Sequence, residues 1–447
     1  MNKTIVKSIY EKMPEQVKML LAKPIRNKLI KNPVFIKQYE DLVKTDDLRE
    51  SDIKKLQLQR LKELCIFAYK NSPYYHRIFD AVGFQPTLLS SFEEYTSKVP
   101  ILTKEEVLEN IDDIKCTVPE GTYDSITGGS SGKRLVVTNS MDCLYRENAF
   151  IYNHYRKFGG GGYDLKNSKM AYIGGYGEGG ILVSNSPLYN MRQYNSMKIN
   201  QSTIQSVVDD MNQYKPDFIR GLPSAIFFFC KLVNQSNLEL KFKCKGVIFQ
   251  SENLYNDQIL YIEKTLEANS LTHYGSTERV IFAEQISPSK RYNGHPVYKF
   301  NDSYGFTEVS KDGLLIGTGF INRGMPLLRY KTDDVAQMVG DGLWTIYGHR
   351  VDVLYGKNGE RVSLASFTDT SIVFEKIWRY QFVQDKPGIV LVNIVPIKKL
   401  SETDIKKVQN FLNDKAQGTI EFELRILDEI ELTARGKFKL LIQNIKE

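Results

Sequence analysis

The residues from Tyr123 to Thr138, YDSITGGSSGKRLVVT, combine small side chains, hydroxyls and paired cations in a pattern suited to a polyphosphate. Glycines let the backbone approach a ligand closely and take up positive φ. Backbone N–H groups and the hydroxyls of Thr127, Ser130 and Ser131 offer donors to oxyanions, and Lys133 adds a mobile positive charge. Gly128, Gly129 and Gly132 supply the freedom between them. The Walker pattern fails here, because its first Gly place holds Thr127 and the place after its Lys holds Arg134. A G-x-G-x-x-G run does occur at Gly175–Gly180, but a strand-like Ile181-Leu182-Val183 follows it where a dinucleotide fold needs a helix. It reads as a glycine-rich turn lining a pocket. The plain alternative for residues 127–133 is a flexible hairpin loop.

Four further stretches carry chemistry. Tyr274-Gly275-Ser276-Thr277-Glu278 offers an aromatic face, a close-approach glycine, hydroxyls and a carboxylate. Tyr330-Lys331-Thr332-Asp333-Asp334 places a carboxylate where a ribose diol can be held. Gly348-His349-Arg350-Val351-Asp352 follows, with Gly359-Glu360-Arg361-Val362 behind it. Thr433-Ala434-Arg435-Gly436-Lys437 ends the series. Each singly reads equally well as a tight turn, a surface acid pair or a basic end.

The elements that must position these residues alternate. Apolar spacing at Leu56, Leu61, Leu64, Cys65 and Ala68 predicts a helix that stops at Asn71-Ser72-Pro73. Thr103-Lys104-Glu105-Glu106 fits a capping box. Residues 142–157, 204–214 and 257–268 read as helices, as does the segment opened by Pro223-Ser224. Strands are expected at 170–173, 181–183, 216–221, 247–249 and 271–274. This alternation indicates an α/β layered domain, in which ligands bind beyond the carboxyl ends of strands. Toward the C-terminus, strands are expected at 389–392 and 419–422, with a helix over 400–412 between them.

At 447 residues the chain has room for two domains and a sizeable core. A 42% apolar and 25% charged composition excludes disordered and membrane-spanning classes, and the longest apolar run, 225–230, is far short of a bilayer. No signal peptide is read at the N-terminus. Five cysteines without a C-x-x-C pair point to reduced thiols in a cytoplasm rather than a zinc site. Net charge is +7, but residues 1–40 hold nine Lys/Arg against three acids, a balance of +6. The rest is nearly neutral, which argues against nucleic acid as a partner. Pro14, Pro24 and Pro33 divide this basic leader into short helical pieces. It reads as a lid on the main domain or as a peripheral contact with a membrane surface.

The order of these motifs resembles that of the adenylate-forming ligase superfamily, over roughly residues 50–440. The family's T-S-G-T-T-G-K-P stands as Thr127–Arg134, its Y-G-x-T-E as Tyr274–Glu278, and its Y-R-T-G-D as Tyr330–Asp334 with Asp333 replacing Gly. Asn71–Tyr75, Pro100–Lys104, Gly221–Ser224 and Ser251-Glu252-Asn253-Leu254 are similar to the phenylacetate–CoA ligase branch, which includes relatives associated with capsular and other surface polysaccharide synthesis. The resemblance implies an α/β fold: a large multi-sheet domain over 1–347 and a small mobile α+β lid over 348–447. It also implies a two-step reaction: ATP and a carboxylic acid give an acyl-adenylate and pyrophosphate, then coenzyme A or another thiol or amine takes the acyl group.

On that resemblance, Thr127, Gly128, Gly129, Ser130, Ser131, Gly132 and Lys133 hold the β- and γ-phosphates. Tyr274 stacks on adenine, with Gly275 and Ser276 also binding the nucleotide, and Thr277 bonds the α-phosphate. Glu278 holds Mg²⁺, Asp334 takes the ribose, and Arg350 serves the nucleotide. Lys437 bridges the acid and the α-phosphate. Tyr176, Gly177, Ser251 and Glu252 wall the acyl pocket. The chain departs from the family at His349 and Val351, which take the places of Arg and the first Asp in G-R-x-D-D. It departs again at Asp333 and at Glu431-Leu432, where a Pro usually leads the last motif. A non-catalytic homologue acting as a scaffold in a polysaccharide pathway, and a nucleotidyltransferase, are the competing readings.

Overall fold

The structure, a computed structural model, describes residues 32–127, 134–157, 162–164, 167–175, 181–186, 190–252, 254–349, 353–367, 376–432 and 438–445. The expectations for residues 1–31 of the leader, for Gly128–Lys133, Tyr176, Gly177, Arg350 and Lys437 fall outside these residues.

Helices dominate the first part. In α1 (Pro33–Thr45) proline occupies N1 and the Asn32 side chain accepts from Val34 and Phe35 N–H, so a residue expected to break the leader starts a helix instead. The expected stripe is buried on α2 (Glu50–Asn71) at Leu61, Leu64, Cys65 and Ala68. Gln57 joins that face because its amide is satisfied by Asp302 and the Gly305 carbonyl. Pro73 is not only a stop: with Ser72 as N-cap it opens α3 (Pro73–Ala81), which the sequence reading missed. Then come α4 (Phe92–Lys98), α5 (Lys104–Glu109) and α6 (Ile111–Ile114); the capping box at Thr103 and Glu106 is present with both bonds.

Strands β1 (Thr122–Ile126) and β2 (Val136–Ser140) form an antiparallel hairpin leading into α7 (Met141–Arg156). The layered region follows as β3 (Met170–Gly174), β4 (Val183–Ser186), β5 (Met191–Asn195), α8 (Ile204–Tyr214), β6 (Phe218–Gly221), α9 (Pro223–Gln235), β7 (Gly246–Phe249), α10 (Asn256–Leu266), β8 (Ser270–Gly275) and β9 (Phe282–Gln285). Strands β5, β3, β6, β7 and β8 are neighbours in that order and parallel. Their residues alternate between faces: Ile173, Ile219 and Val247 pack under α8–α10, whereas Met170, Phe218 and Leu271 pack against Tyr155 of α7. Gly221 has no alternative, since a Cβ there would strike the Ile173 carbonyl oxygen.

At β8–β9 the sheet turns antiparallel and continues through Tyr298–Phe300, Leu343–His349, Tyr330–Gly340, Leu314–Gly319 and Gly305–Val309, making a twelve-stranded sheet among the described residues. A second sheet holds Glu421–Ile426, Ile389–Pro396, Ile377–Lys386 and Leu441–Gln443, in that order. It is covered by α11 (Glu402–Ala416), which a Ser401/Asp404 capping box starts. Its own core includes Phe382, Val392 and Leu412. The α/β large part and the small α+β part match the expected class.

All five cysteines are free thiols and buried. No helix among the described residues is long and apolar enough to cross a membrane.

Candidate functional site

The motifs converge where the sheet changes from parallel to antiparallel. Strand β8 carries Tyr274 and Gly275 to its carboxyl end, and Ser276–Arg279 make the turn that reverses the chain into β9. Gly275 is exposed, and a Cβ on it would have only ordinary contact with Phe282, so the backbone is open to close approach. From the antiparallel half, Thr332 bonds the Leu315 carbonyl and accepts from Asp334 N–H, fixing the strand that bears Asp334. The Tyr274 hydroxyl then donates to Asp334 Oδ2 at 2.5 Å. This single contact joins two motifs far apart in sequence. Asp334 also faces His349 in the strand ladder, which brings the third stretch alongside.

Strand alternation disposes of the extra carboxylate: Thr332 is buried, Asp333 exposed and Asp334 partly buried. Asp333, which stands in the family's Gly place, therefore turns its charge to solvent while its neighbour Asp334 faces Tyr274.

Thr127 closes the neck of the Gly/Ser loop: its N–H donates to the Leu135 carbonyl at 2.9 Å, and its Oγ1 accepts from Leu135 N–H at 3.0 Å. The hairpin residues below it, Asp124, Ser125 and Ile126, wall a cavity of about 620 Å³ whose opposite side is Ser251 and Gly275–Thr277. Ser251 follows β7 with φ of 66°, a left-handed position that a non-glycine residue holds under strain. Glu252 is engaged otherwise than expected. Its Oε2 accepts from Ser224 N–H at the start of α9, and its Oε1 from Phe438 N–H of the small domain. It caps a helix and ties the two parts together. The Phe438 ring meets Phe228 of α9 at 5.2 Å, and Lys231 Nζ bonds the Ile377 carbonyl. The residue after Lys437 is thus seated beside Ser251 and Glu252, at the carboxyl end of β7.

Burial pushes the Glu278 carboxyl up, and the nearby Asp334 charge adds to that. Burial also raises the Tyr274 hydroxyl well above its ordinary range, followed by Asp334, so the phenol stays a donor. Among the described residues no group of three His, Cys, Asp or Glu is placed to hold a metal on its own. Glu278 fits the other mode, in which one carboxylate and substrate phosphates share Mg²⁺, and a cation there would offset the burial of its charge.

Sequence reasoning missed Asp124, Glu147, His273 and Arg279. Arg279 pairs with Glu147 at 2.9 Å and with the Cys143 sulfur at 3.0 Å, behind the turn that carries Thr277 and Glu278. Only its place beside Glu278 could have drawn attention to it. His273 is driven down to about 3, by burial first and then by His154 and Arg220. His154 is also lowered by burial. Both fold as neutral rings, so the unfolded chain binds more protons below about pH 6.5. Stability is accordingly expected to fall as pH drops below that point, by up to about 1.4 kcal/mol per pH unit for the His273 ring, with His154 acting in the same direction. Urea unfolding from about pH 6.5 to 5 should show a shallower pH slope in His273→Gln than in the native chain; equal slopes would refute the assignment.

Residues 354–444 match the family described as the CapK C-terminal domain. Protein CapK of Staphylococcus aureus is 24% identical, covering 93% of this chain and 96% of that protein. Phenylacetate–coenzyme A ligase of Escherichia coli K12 is 23% identical over 69% of this chain and 72% of its own. Among solved structures, 2-hydroxyisobutyryl-CoA ligase in the postadenylation state with 2-HIB-AMP superposes with a TM-score of 0.64 at 15% identity, covering 89% and 90% of the two chains. In sequence the chain is thus similar to CapK and the phenylacetate–coenzyme A ligases, and its fold is that of the adenylate-forming CoA ligases.

Proposed function

We propose that the protein activates a carboxylic acid with ATP and passes the acyl group to coenzyme A or another thiol or amine acceptor. The observation that carries this reading is the Tyr274–Asp334 contact, adjoining in the chain the residues Gly275–Thr277 that share a cavity with Asp124–Ile126 of the Gly/Ser hairpin. Joining an anionic acid to a polyanionic nucleotide demands positive charge and alignment more than acid–base groups. In this arrangement Thr127 anchors a loop whose Ser130, Ser131 and Lys133 hold the outer phosphates, with Gly128, Gly129 and Gly132 letting the backbone close on them. Tyr274 presents its face to adenine while its hydroxyl holds Asp334 ready for the ribose. Thr277 donates to the α-phosphate, and Arg350 adds charge on the nucleotide side. Glu278 would hold Mg²⁺ with the phosphates, which supplies charge neutralisation there. Lys437 spans acid and α-phosphate. Tyr176, Gly177 and Ser251 border the acyl pocket, with Glu252 setting its floor by fixing α9.

The small domain, taken as 348–447, swings between half-reactions in this reading, with the large domain at 1–347. The motif resemblance to the branch with relatives associated with surface polysaccharide synthesis supports a place there, with an acyl group delivered to a sugar precursor. His349 and Val351 in the hinge motif favour a second reading, a non-catalytic homologue that binds nucleotide without turnover. One experiment separates the two. Full-length protein with ATP and Mg²⁺ should release pyrophosphate on addition of one member of a carboxylic-acid library, and CoA should raise the rate if it is the acceptor. Silence across the library, with MgATP bound, would leave the scaffold.

A further inference from the structure

Arg220 stands on β6, one position before its carboxyl end, between β3 and β7. Its strand neighbours are Tyr172 and Ile248, and Gln250 lies two residues beyond on the same face. Its Nε donates to Gln250 Oε1 at 2.7 Å, and its guanidinium lies over the Tyr155 ring at 5.8 Å. The Gln250 amide in turn reaches the Tyr172 hydroxyl.

No carboxylate among the described residues pairs with it; the groups near it include Tyr155, Tyr152, Tyr163 and Tyr172, all neutral at physiological pH, and the neutral ring of His273. The terminal nitrogens make no hydrogen bond with a described residue, and part of the side chain stays open. A guanidinium has five donors in a planar fork matched to a carboxylate. Burying most of it without a counter-ion is unfavourable, and one amide and one ring offset little of that. Three other large-domain arginines, Arg279, Arg291 and Arg329, each hold a glutamate, whereas Arg60 is held by the Ser303 carbonyl.

The position is equally informative. Tyr155 connects Arg220 to the cavity, since its hydroxyl lies 3.4 Å from His273 Nδ1 and His273 lines that cavity. Arg220 and Gln250 therefore occupy the stretch of sheet edge between the turn after β3 and the Tyr274 turn, where a parallel sheet receives its ligands.

We infer that Arg220, with Gln250 and Tyr172, is the recognition point for a second carboxylate on the acid substrate, which makes the protein selective for dicarboxylic acids. This rests on the ligase reading above. One carboxylate would be activated near Thr277, and the other would accept the two terminal N–H groups of Arg220.

The test compares acids of equal chain length that end in carboxylate or methyl, from malonate and propionate to suberate and octanoate. Readouts are pyrophosphate release with MgATP and calorimetric binding of the acid to the full chain. Native protein should favour the diacid of the best pair by about 10–100-fold in kcat/KM, the range expected for one charged hydrogen-bonded pair. Arg220→Met should lose that preference while keeping the monoacid rate, and Arg220→Lys should retain part of it. Preference of the native protein for the methyl-ended acid would overturn the inference. So would equal losses for both members of a pair in Arg220→Met, which would put the reacting carboxylate on Arg220. If Arg220→Met does not fold, the native ratio and Arg220→Lys decide. If no acid releases pyrophosphate, the ligase reading fails, and calorimetry still judges Arg220: diacid binding abolished in Arg220→Met upholds it, and no diacid binding to native protein overturns it.

Discussion

Replacing Lys437 by alanine is expected to lower acid-dependent pyrophosphate exchange by about 10²–10³-fold, the range for removing one group aimed at developing charge. MgATP affinity should stay within about threefold of native, because an interaction made mainly at the transition state leaves ground-state binding alone. The placement of Phe438 motivates the first half. Its N–H is held by Glu252 and its ring by Phe228, so the chain leaving the last motif is fixed beside the carboxyl end of β7. The residues proposed to hold the nucleotide, Tyr274, Thr277, Glu278 and Asp334, all precede the small second sheet in the chain, and the Tyr274–Asp334 contact forms without the last motif, which motivates the second. The measurement is isotope exchange between pyrophosphate and ATP with the best acid, beside calorimetry with MgATP. Exchange at the native rate would remove Lys437 from the chemistry. Loss of MgATP binding in parallel would make it a nucleotide ligand instead.

Much of the positioning framework was legible because local signals agreed with the tertiary outcome. The helix over 204–214 and the capping box at Thr103 followed from spacing and cap residues alone. The buried run Val247-Ile248-Phe249 of β7 pointed to the site because a parallel strand covered on both faces is apolar along its length, whereas β8, Ser270–Gly275, was marked by Leu271 and Tyr274 alone. Legibility failed where one residue type has two uses. Pro73 ends α2 and begins α3, and the sequence shows only the first. The antiparallel half was hidden for another reason: Tyr330–Gly340 reads YKTDDVAQMVG, too polar to announce a strand, because several of its side chains meet solvent. Contacts such as Glu252 with Phe438, or Arg220 with Gln250, depend on the order of strands in the sheet, which periodicity does not encode.

Arg279→Met is expected to destabilise the large domain by about 3 kcal/mol or more, since breaking one side of a buried ion pair leaves the partner charge desolvated. Arg279 is 9% exposed and sits behind the Ser276–Glu278 turn at a φ of 56°. Burial opposes its charge, but Glu147 at 2.9 Å holds the guanidinium ionised, with Cys143 and Tyr123 beside it. Remove the guanidinium and Glu147, at the centre of α7, keeps only a 3.5 Å contact from the Tyr304 hydroxyl. A methionine fills most of the space but offers no donor. Glu147→Leu alone should be damaging too, stranding the arginine against Cys143 and the Tyr123 ring. The double variant should recover much of the loss, because well-packed apolar residues replace buried ion pairs at little net change. That recovery distinguishes an electrostatic pair from general damage to the core. Urea unfolding followed by tyrosine fluorescence measures all three, with an unchanged denaturant slope confirming that stability alone has moved. Singles within about 0.5 kcal/mol of native would show that solvent already screens the pair. A double variant as unstable as the sum of the singles would show that shape, not charge, holds the turn in place.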